Sequence, residues 1–209
     1  MKKKIIRITT IPGSLAILLK GQLEYMNDYY KVIGVSSSGK AIATIEEQEG
    51  IETHVIEMTR NISPIQDLKS AYKLYKYLRK EKPFIVHTHT PKAGTLGMLA
   101  ARFARIPNRL HTIAGLPLLE ATGAKRKLLN VVEKITYTNA TMILPNSFGL
   151  KEIIKNHNFT SDKKLKIIGK GSSNGIDTEH FNKSNISQEQ QKTLKQELNI
   201  PDDDFVFNF

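Results

Sequence analysis

Runs of three or four apolar residues recur through the chain, and a longer helical pattern separates each from the next. The runs are Ile5-Ile6-Arg7-Ile8, Val32-Ile33-Gly34-Val35, His54-Val55-Ile56, Phe84-Ile85-Val86, Leu110 to Ile113, Met142-Ile143-Leu144 and a short Leu165 to Ile168. Runs this short are strand-length, and apolar residues on both faces suit parallel strands covered on each side. The intervening patterns read as helices at 15–28, 40–49, from 63 with an apolar stripe through Leu78, from 91 with small residues through Ala104, 125–138 and 147–157. Strand, helix and strand in alternation give right-handed crossovers and a doubly wound α/β sheet of the Rossmann kind.

Local signals support several helix starts. Ser63-Pro64-Ile65-Gln66 offers a cap, a proline at the first helical position and a Gln three residues past the cap. Thr90-Pro91 opens the next helix, whose Gly94, Gly97, Ala100, Ala101 and Ala104 make a small-residue face for close packing on a sheet. Beyond residue 168 the pattern changes. A glycine-rich loop and the polar segment 182–185 read as linker, 188–198 as a helix, and Phe205-Val206-Phe207 as the start of a new buried strand. The expectation is a first domain over 1–178, with 179–209 opening a second domain that is cut short.

Charge is uneven: 31 Lys and Arg against 20 Asp and Glu leave +11, which calls for an anionic partner. Nucleic acid is set aside, since no helix-turn-helix, RNA-recognition signature or aromatic–basic interleaving is present. An acidic membrane face or a phosphorylated substrate remains. Candidate basic faces are Lys69, Lys73, Lys76, Arg79 and Lys80, and Lys125-Arg126-Lys127 ahead of an apolar stretch. Each serves equally as an ordinary solvated helix face, as do Arg102, Arg105 and Arg109. Lys2-Lys3-Lys4 followed by Ile5-Ile6 imitates a secretory leader, but the next apolar run, from Leu15 to Leu19, has only five residues. A leader needs about 7–15 and a spanning helix about 20. The expected location is the cytoplasm, peripheral to the inner membrane face. With no cysteine in the chain, disulfides, thiolate metal sites and cysteine nucleophiles are excluded.

An open parallel sheet binds ligands beyond the carboxyl ends of its strands, where strand order reverses. With the order 3-2-1-4-5-6 the reversal lies between strands one and four. Three loops then meet at one crevice: 10–14, 88–92 and 114–117. Gly13 lets a backbone approach a phosphate, or is an ordinary turn glycine. The dinucleotide fingerprint G-x-G-x-x-G is missing. His87 and His89 stand two apart at the end of a strand and share a face. They suit a base with its helper, substrate hydrogen bonding, or two metal ligands that lack a third. His87, deeper in the strand, reads as a buried histidine satisfied by backbone carbonyls, whereas His89 at the lip reads as functional. His111 reads as structural, and His54, His157 and His180 have no supporting context.

The stretch 84–94, Phe-Ile-Val-His-Thr-His-Thr-Pro-Lys-Ala-Gly, resembles the D-x-V-H-x-H strand and loop of family 4 glycosyltransferases. Residues 97–102, 106–109, Gly115-Leu116-Pro117, Asn146-Ser147 and Gly149-Leu150 continue the likeness. Residues 173–181 resemble the family's N-G-[VI]-D-x-x-x-F exit from its first domain, so the likeness covers most of 1–181. The resemblance implies two facing Rossmann-like domains and retaining transfer of a sugar from a UDP-linked donor. It further implies a polyprenyl-diphosphate-linked acceptor, in assembly of capsule or other cell-surface polysaccharide. It places Gly13 and Ser14 beside the donor diphosphate and His89 in catalysis. His87, Thr90, Pro91, Lys92, Gly115, Leu116 and Glu120 would border the acceptor. No metal and no organic cofactor is expected.

Two departures stand out. Many members carry a His or Glu before the glycine after strand five, where this chain has Ala114. His111, Thr112 or Glu120 would then take over that contact. The family's E-x7-E motif and diphosphate grip belong to a C-terminal domain outside this sequence, so the chain alone is expected to be inactive. The alternatives are a stand-alone binding or regulatory subunit paired with a separate donor-domain chain, and a sugar-nucleotide epimerase.

Overall fold

The structure is a computed structural model and describes residues 2–172, 175–201, 204 and 206. It divides into two compact units, 1–173 and 174–209. In the first, six strands form one parallel sheet: β1 (Lys4–Ile8), β2 (Lys31–Ser36), β3 (Glu52–Val55), β4 (Ile85–Thr88), β5 (Asn108–Ile113) and β6 (Met142–Pro145). Their order is β3-β2-β1-β4-β5-β6, the doubly wound arrangement expected from the sequence. Register sets Arg7 of β1 opposite His87 of β4, and Ile8 opposite Thr88.

Alternation along β1 divides the core. Ile6 and Ile8 join Ile33, Val35 and Val86 in the larger cluster, which also holds Leu74 and Leu78 of α4 (Pro64–Glu81) and Met98 of α5 (Pro91–Phe103). Ile5 faces the other way, into Leu15, Leu19, Leu23, Val32 and Ile45, under α1 (Pro12–Leu18), α2 (Gln22–Asn27) and α3 (Ala41–Glu49). Arg7 shares the Ile5 face by the two-residue period of a strand. The fold is completed by α6 (Gly123–Asn139) and α7 (Phe148–Asn156), the latter capped by Ser147, whose Oγ accepts the Leu150 amide.

Four local readings are corrected. The single helix at 15–28 is two helices, because Gly21 turns left-handed at φ 70° and restarts the chain. The buried Glu49 carboxylate holds the new start, accepting from the Gly21 and Glu24 amides at 2.7 and 3.0 Å. Ser63 and Gln66 form no capping box at α4. Asp67 reaches back instead, accepting the Ser63 amide at 3.3 Å, and its charge is paired with Lys92 at 2.5 Å. The strand expected at 165–168 is reduced to one bridge, Ile143 with Leu165, because Gly169 and Gly171 then turn left-handed and lead the chain off the sheet. His87 bonds to a side chain, the Thr112 hydroxyl at 2.8 Å, not to a backbone carbonyl.

The second unit holds α8 (Gln188–Glu197), whose start carries a complete Ser187–Gln190 capping box, and a short 3-10 turn at Lys183–Asn185. Of the strand read at 205–207, Phe205 and Phe207 lie outside the described residues, as do Ser173 and Asn174 of the exit motif.

Candidate functional site

The exits of β1 and β4 are tied directly together. Thr90 Oγ1 accepts the Thr10 amide at 3.0 Å and lies 2.7 Å from Thr10 Oγ1, while the His89 amide donates to the Ile8 carbonyl at 3.1 Å. Pro91 and the small residues after it let α5 lie close on the sheet, which brings the Thr90–Lys92 turn to the strand ends.

Three adjoining hollows follow this edge. One of about 610 Å³ holds Ser14, Thr90, Pro91 and Lys92 with Arg60 and Lys125. A second of about 410 Å³ holds His89, Pro91, Gly115, Leu116 and Glu120 with His111, Thr112 and Glu133. The third, about 210 Å³, holds Arg7, Gln22, His87, His89, Thr112, Ala114 and Asn146. The residues read as an acceptor set are therefore split. His87 lies in the smallest hollow, Thr90 and Lys92 in the largest, and Gly115, Leu116 and Glu120 in the middle one. His89 opens onto two of them. Gly13 lines none, although its neighbour Ser14 does, and the space where its side chain would stand is open.

The smallest hollow has an unusual floor. The His87 and His89 rings lie 4.1 Å apart, and Arg7 Nε–H donates to His89 Nε2 at 2.9 Å. That bond occupies the Nε2 lone pair, so the neutral His89 ring carries its proton on Nδ1. Burial holds His87 well below the ordinary histidine value, and the Arg7 and His111 charges add to it. His89 is depressed in the same direction by burial first, then by His87, Arg7 and His111. Both rings are thus neutral at physiological pH, and His89 is equipped as a hydrogen-bond donor through Nδ1, with no free Nε2 to act as a base.

His111 lies against α5 and bonds Thr88 Oγ1 through Nδ1 at 2.8 Å, and burial lowers its pKa to about 4. Of the three candidates to replace the side chain missing at Ala114, Thr112 borders both smaller hollows and Glu120 the middle one, while His111 has one ring nitrogen engaged. Among the described residues no group of three His, Asp or Glu is placed to hold a metal.

Two residues were missed by sequence reasoning. Arg7 is 2% exposed, and its signal was a charged residue inside an otherwise apolar strand. Glu133 is buried beside the middle hollow, and burial pushes its carboxyl up. A lone acid in an amphipathic helix gave no comparable signal.

Residues 15–147 match the glycosyl transferase 4-like family. The chain belongs to that family. It is 37% identical over 190 residues to the capsular polysaccharide biosynthesis glycosyltransferase CapM of Staphylococcus aureus, covering 90% of this chain and 49% of the relative. It is 40% identical over 130 residues to the Escherichia coli UDP-Gal:α-D-GlcNAc-diphosphoundecaprenol α-1,3-galactosyltransferase, covering 59% of this chain and 31% of that protein. The chain thus spans about half the length of the curated relatives it matches, or less. Its fold is shared with Anabaena Alr3699/HepE in complex with UDP-glucose, at TM-score 0.65 and 17% identity over 94% of this chain and 50% of that one. It is shared equally with the UDP-N-acetylglucosamine 2-epimerase of Rickettsia bellii, at TM-score 0.68 and 15% identity over 96% and 52%. The fold alone therefore does not separate transferase from epimerase. The family match places the chain with the glycosyl transferase 4-like proteins.

Proposed function

We propose that this chain is the acceptor-side half of a retaining glycosyltransferase of bacterial cell-surface polysaccharide assembly. It would move a sugar from a UDP-linked donor to a polyprenyl-diphosphate-linked acceptor. The observation carrying this reading is the convergence of the β1, β4 and β5 exits on adjoining hollows in a chain of the glycosyl transferase 4-like family. The name of the E. coli relative supplies the substrate classes, and that of the S. aureus relative the polysaccharide context.

In this reading the largest hollow receives the acceptor diphosphate between Arg60, Lys92 and Lys125, with Ile11, Ile62 and Leu129 against the start of the lipid chain. His89 donates its Nδ1–H to a substrate oxygen at the junction of the two smaller hollows. Open space at Gly13 lets the donor diphosphate come up to the backbone. Charge on the departing diphosphate is neutralised chiefly from the C-terminal half, so the chain alone turns over nothing. No metal or organic cofactor enters the scheme.

No described helix is long and apolar enough to cross a membrane. A surface association at the inner face is proposed through α4, where exposed Leu68 and Tyr72 stand among Lys69, Lys73 and Lys76.

The test is the full-length protein with a panel of UDP-sugars and polyprenyl-diphosphate-linked acceptors. Transfer with retention is expected, and His89→Ala should slow it at least about tenfold, as loss of one buried hydrogen bond does. An unchanged rate removes His89 from the mechanism. Epimerisation of UDP-N-acetylglucosamine without transfer would sink the reading.

A further inference from the structure

Arg7 sits at the floor of the 210 Å³ hollow with 2% of its surface exposed. A guanidinium has five N–H donors. One from each nitrogen is used: Nε–H on His89 Nε2, a second on Met26 Sδ at 2.7 Å and a third on Gln22 Oε1 at 3.3 Å. Among the described residues that leaves one N–H on each terminal nitrogen, and it leaves the positive charge opposite neutral groups alone. No ion pair to Arg7 is formed by any described carboxylate.

Such a charge is costly. An unpaired ion taken out of water loses several kcal/mol of solvation, and an apolar side chain of similar volume is the more stable choice. Burial depresses the Arg7 pKa to about 10, which still leaves the group a cation at neutral pH. Its neighbours do not relieve it, because His87 and His89 are neutral donors or acceptors without negative charge. The fold keeps an uncompensated cation where a methionine would pack, at the carboxyl ends of the strands, in a hollow open to ligands. The missing counter-charge is then brought by whatever enters.

The walls narrow the class of ligand. Thr112, Asn146 and the two histidines offer hydrogen-bonding groups, and Leu18 with Ile168 offers apolar faces. Sugar rings present the same mixture. The volume lies below the roughly 300–1,000 Å³ typical of pockets that enclose a whole small molecule. One ring with its acidic substituent fits that scale, and a nucleotide does not.

We propose that this hollow is an oxyanion subsite that takes the carboxylate or phosphate group of an acidic sugar, with Arg7 as its counter-ion. The inference rests on the glycosyltransferase reading for the word sugar, and it names the substrate class that reading left open. A carboxylate would come from a uronic acid, and a phosphate from a phosphorylated sugar.

The experiment is a titration of the full-length protein with sodium glucuronate, inorganic phosphate and glucose, followed by calorimetry and by the ring resonances of His89. Saturable binding of at least one anion is expected, with shifted His89 resonances, while glucose binds at least tenfold more weakly. Glucuronate alone points to a uronic acid, and phosphate alone to a phosphorylated sugar. Arg7→Met should weaken anion binding at least tenfold and melt at or above the parent temperature. Neither anion binding, glucose binding as well as the anions, or Arg7→Met binding them unchanged would each overturn the proposal. If Arg7→Met does not fold, the parent's His89 resonances decide, and their indifference to both anions overturns it. Because no turnover is measured, transfer activity with failed titrations sinks this inference alone. Anion binding without transfer sinks the enzymatic reading alone.

Discussion

Gly94→Ala adds one methyl group at the closest approach between α5 and the sheet. A Cβ built there overlaps the His111 ring, standing 2.9 Å from both Nδ1 and Nε2 and in still tighter contact with Cε1. Carbon–carbon contact is comfortable at about 3.5–4.0 Å, so the overlap is well over half an ångström. The ring has little room to retreat, since it is 4% exposed and held to Thr88 Oγ1 at 2.8 Å. Overpacking costs about 1–3 kcal/mol. Breaking the Thr88–His111 bond in the core adds about 1–3 kcal/mol. Alanine returns about 1 kcal/mol of helix propensity over glycine. The net loss is about 1–5 kcal/mol, and at roughly 2–4 °C per kcal/mol for a chain of this size the mid-range melting point falls about 6–12 °C. Thermal and urea unfolding by circular dichroism measure it. His111→Ala, which vacates the space, should make the double variant less destabilised than the sum of the singles by roughly 0.5–3 kcal/mol. A Gly94→Ala protein as stable as its parent, or strictly additive singles, would refute the packing argument.

Stability should also fall with acidification. His111 titrates near 4 in the folded chain against an ordinary 6.5, and His87 and His89 are lowered in the same direction. Between those values the unfolded chain binds protons that the fold refuses, so each histidine removes about 1.4 kcal/mol per pH unit as pH drops below about 6.5. Urea midpoints at pH 5.0 and 7.5 test this, and equal midpoints contradict it. Ser147→Ala should cost about 1 kcal/mol by uncapping α7, with faster hydrogen exchange at the Leu150 amide; an unchanged amide would mean that the cap bond does not hold in solution.

The alternation of short apolar runs and helical patterns determined the doubly wound parallel sheet, because each run is too short for a helix and the intervening patterns are long enough for crossover helices; its strand order was the common one for such a sheet, and the structure has it. The same pattern placed the crevice, since the exits of β1, β4 and β5 must then be neighbours. Helix starts were legible where the pattern is local and unopposed, as at 147 and 188, where the structure adds Ser147 and Ser187 as caps. The cap read at Ser63 failed, where a nearby Asp67 with a cationic partner from another helix offered the better acceptor. The break at Gly21 was hidden for a similar reason, since the carboxylate that makes it affordable comes from Glu49 at the end of α3.

What the sequence could not decide is the chemistry of the floor. His87 and His89 were visible as a pair, but their neutrality and the Nδ1 proton of His89 depend on Arg7, 82 residues away in sequence. Arg7 itself looked like an interruption in a strand until the register set it against His87 and α2 closed over it. Periodicity reports which face a residue occupies. The charge and protonation that matter in a site are set by burial and by long-range neighbours, and only the folded chain brings those together.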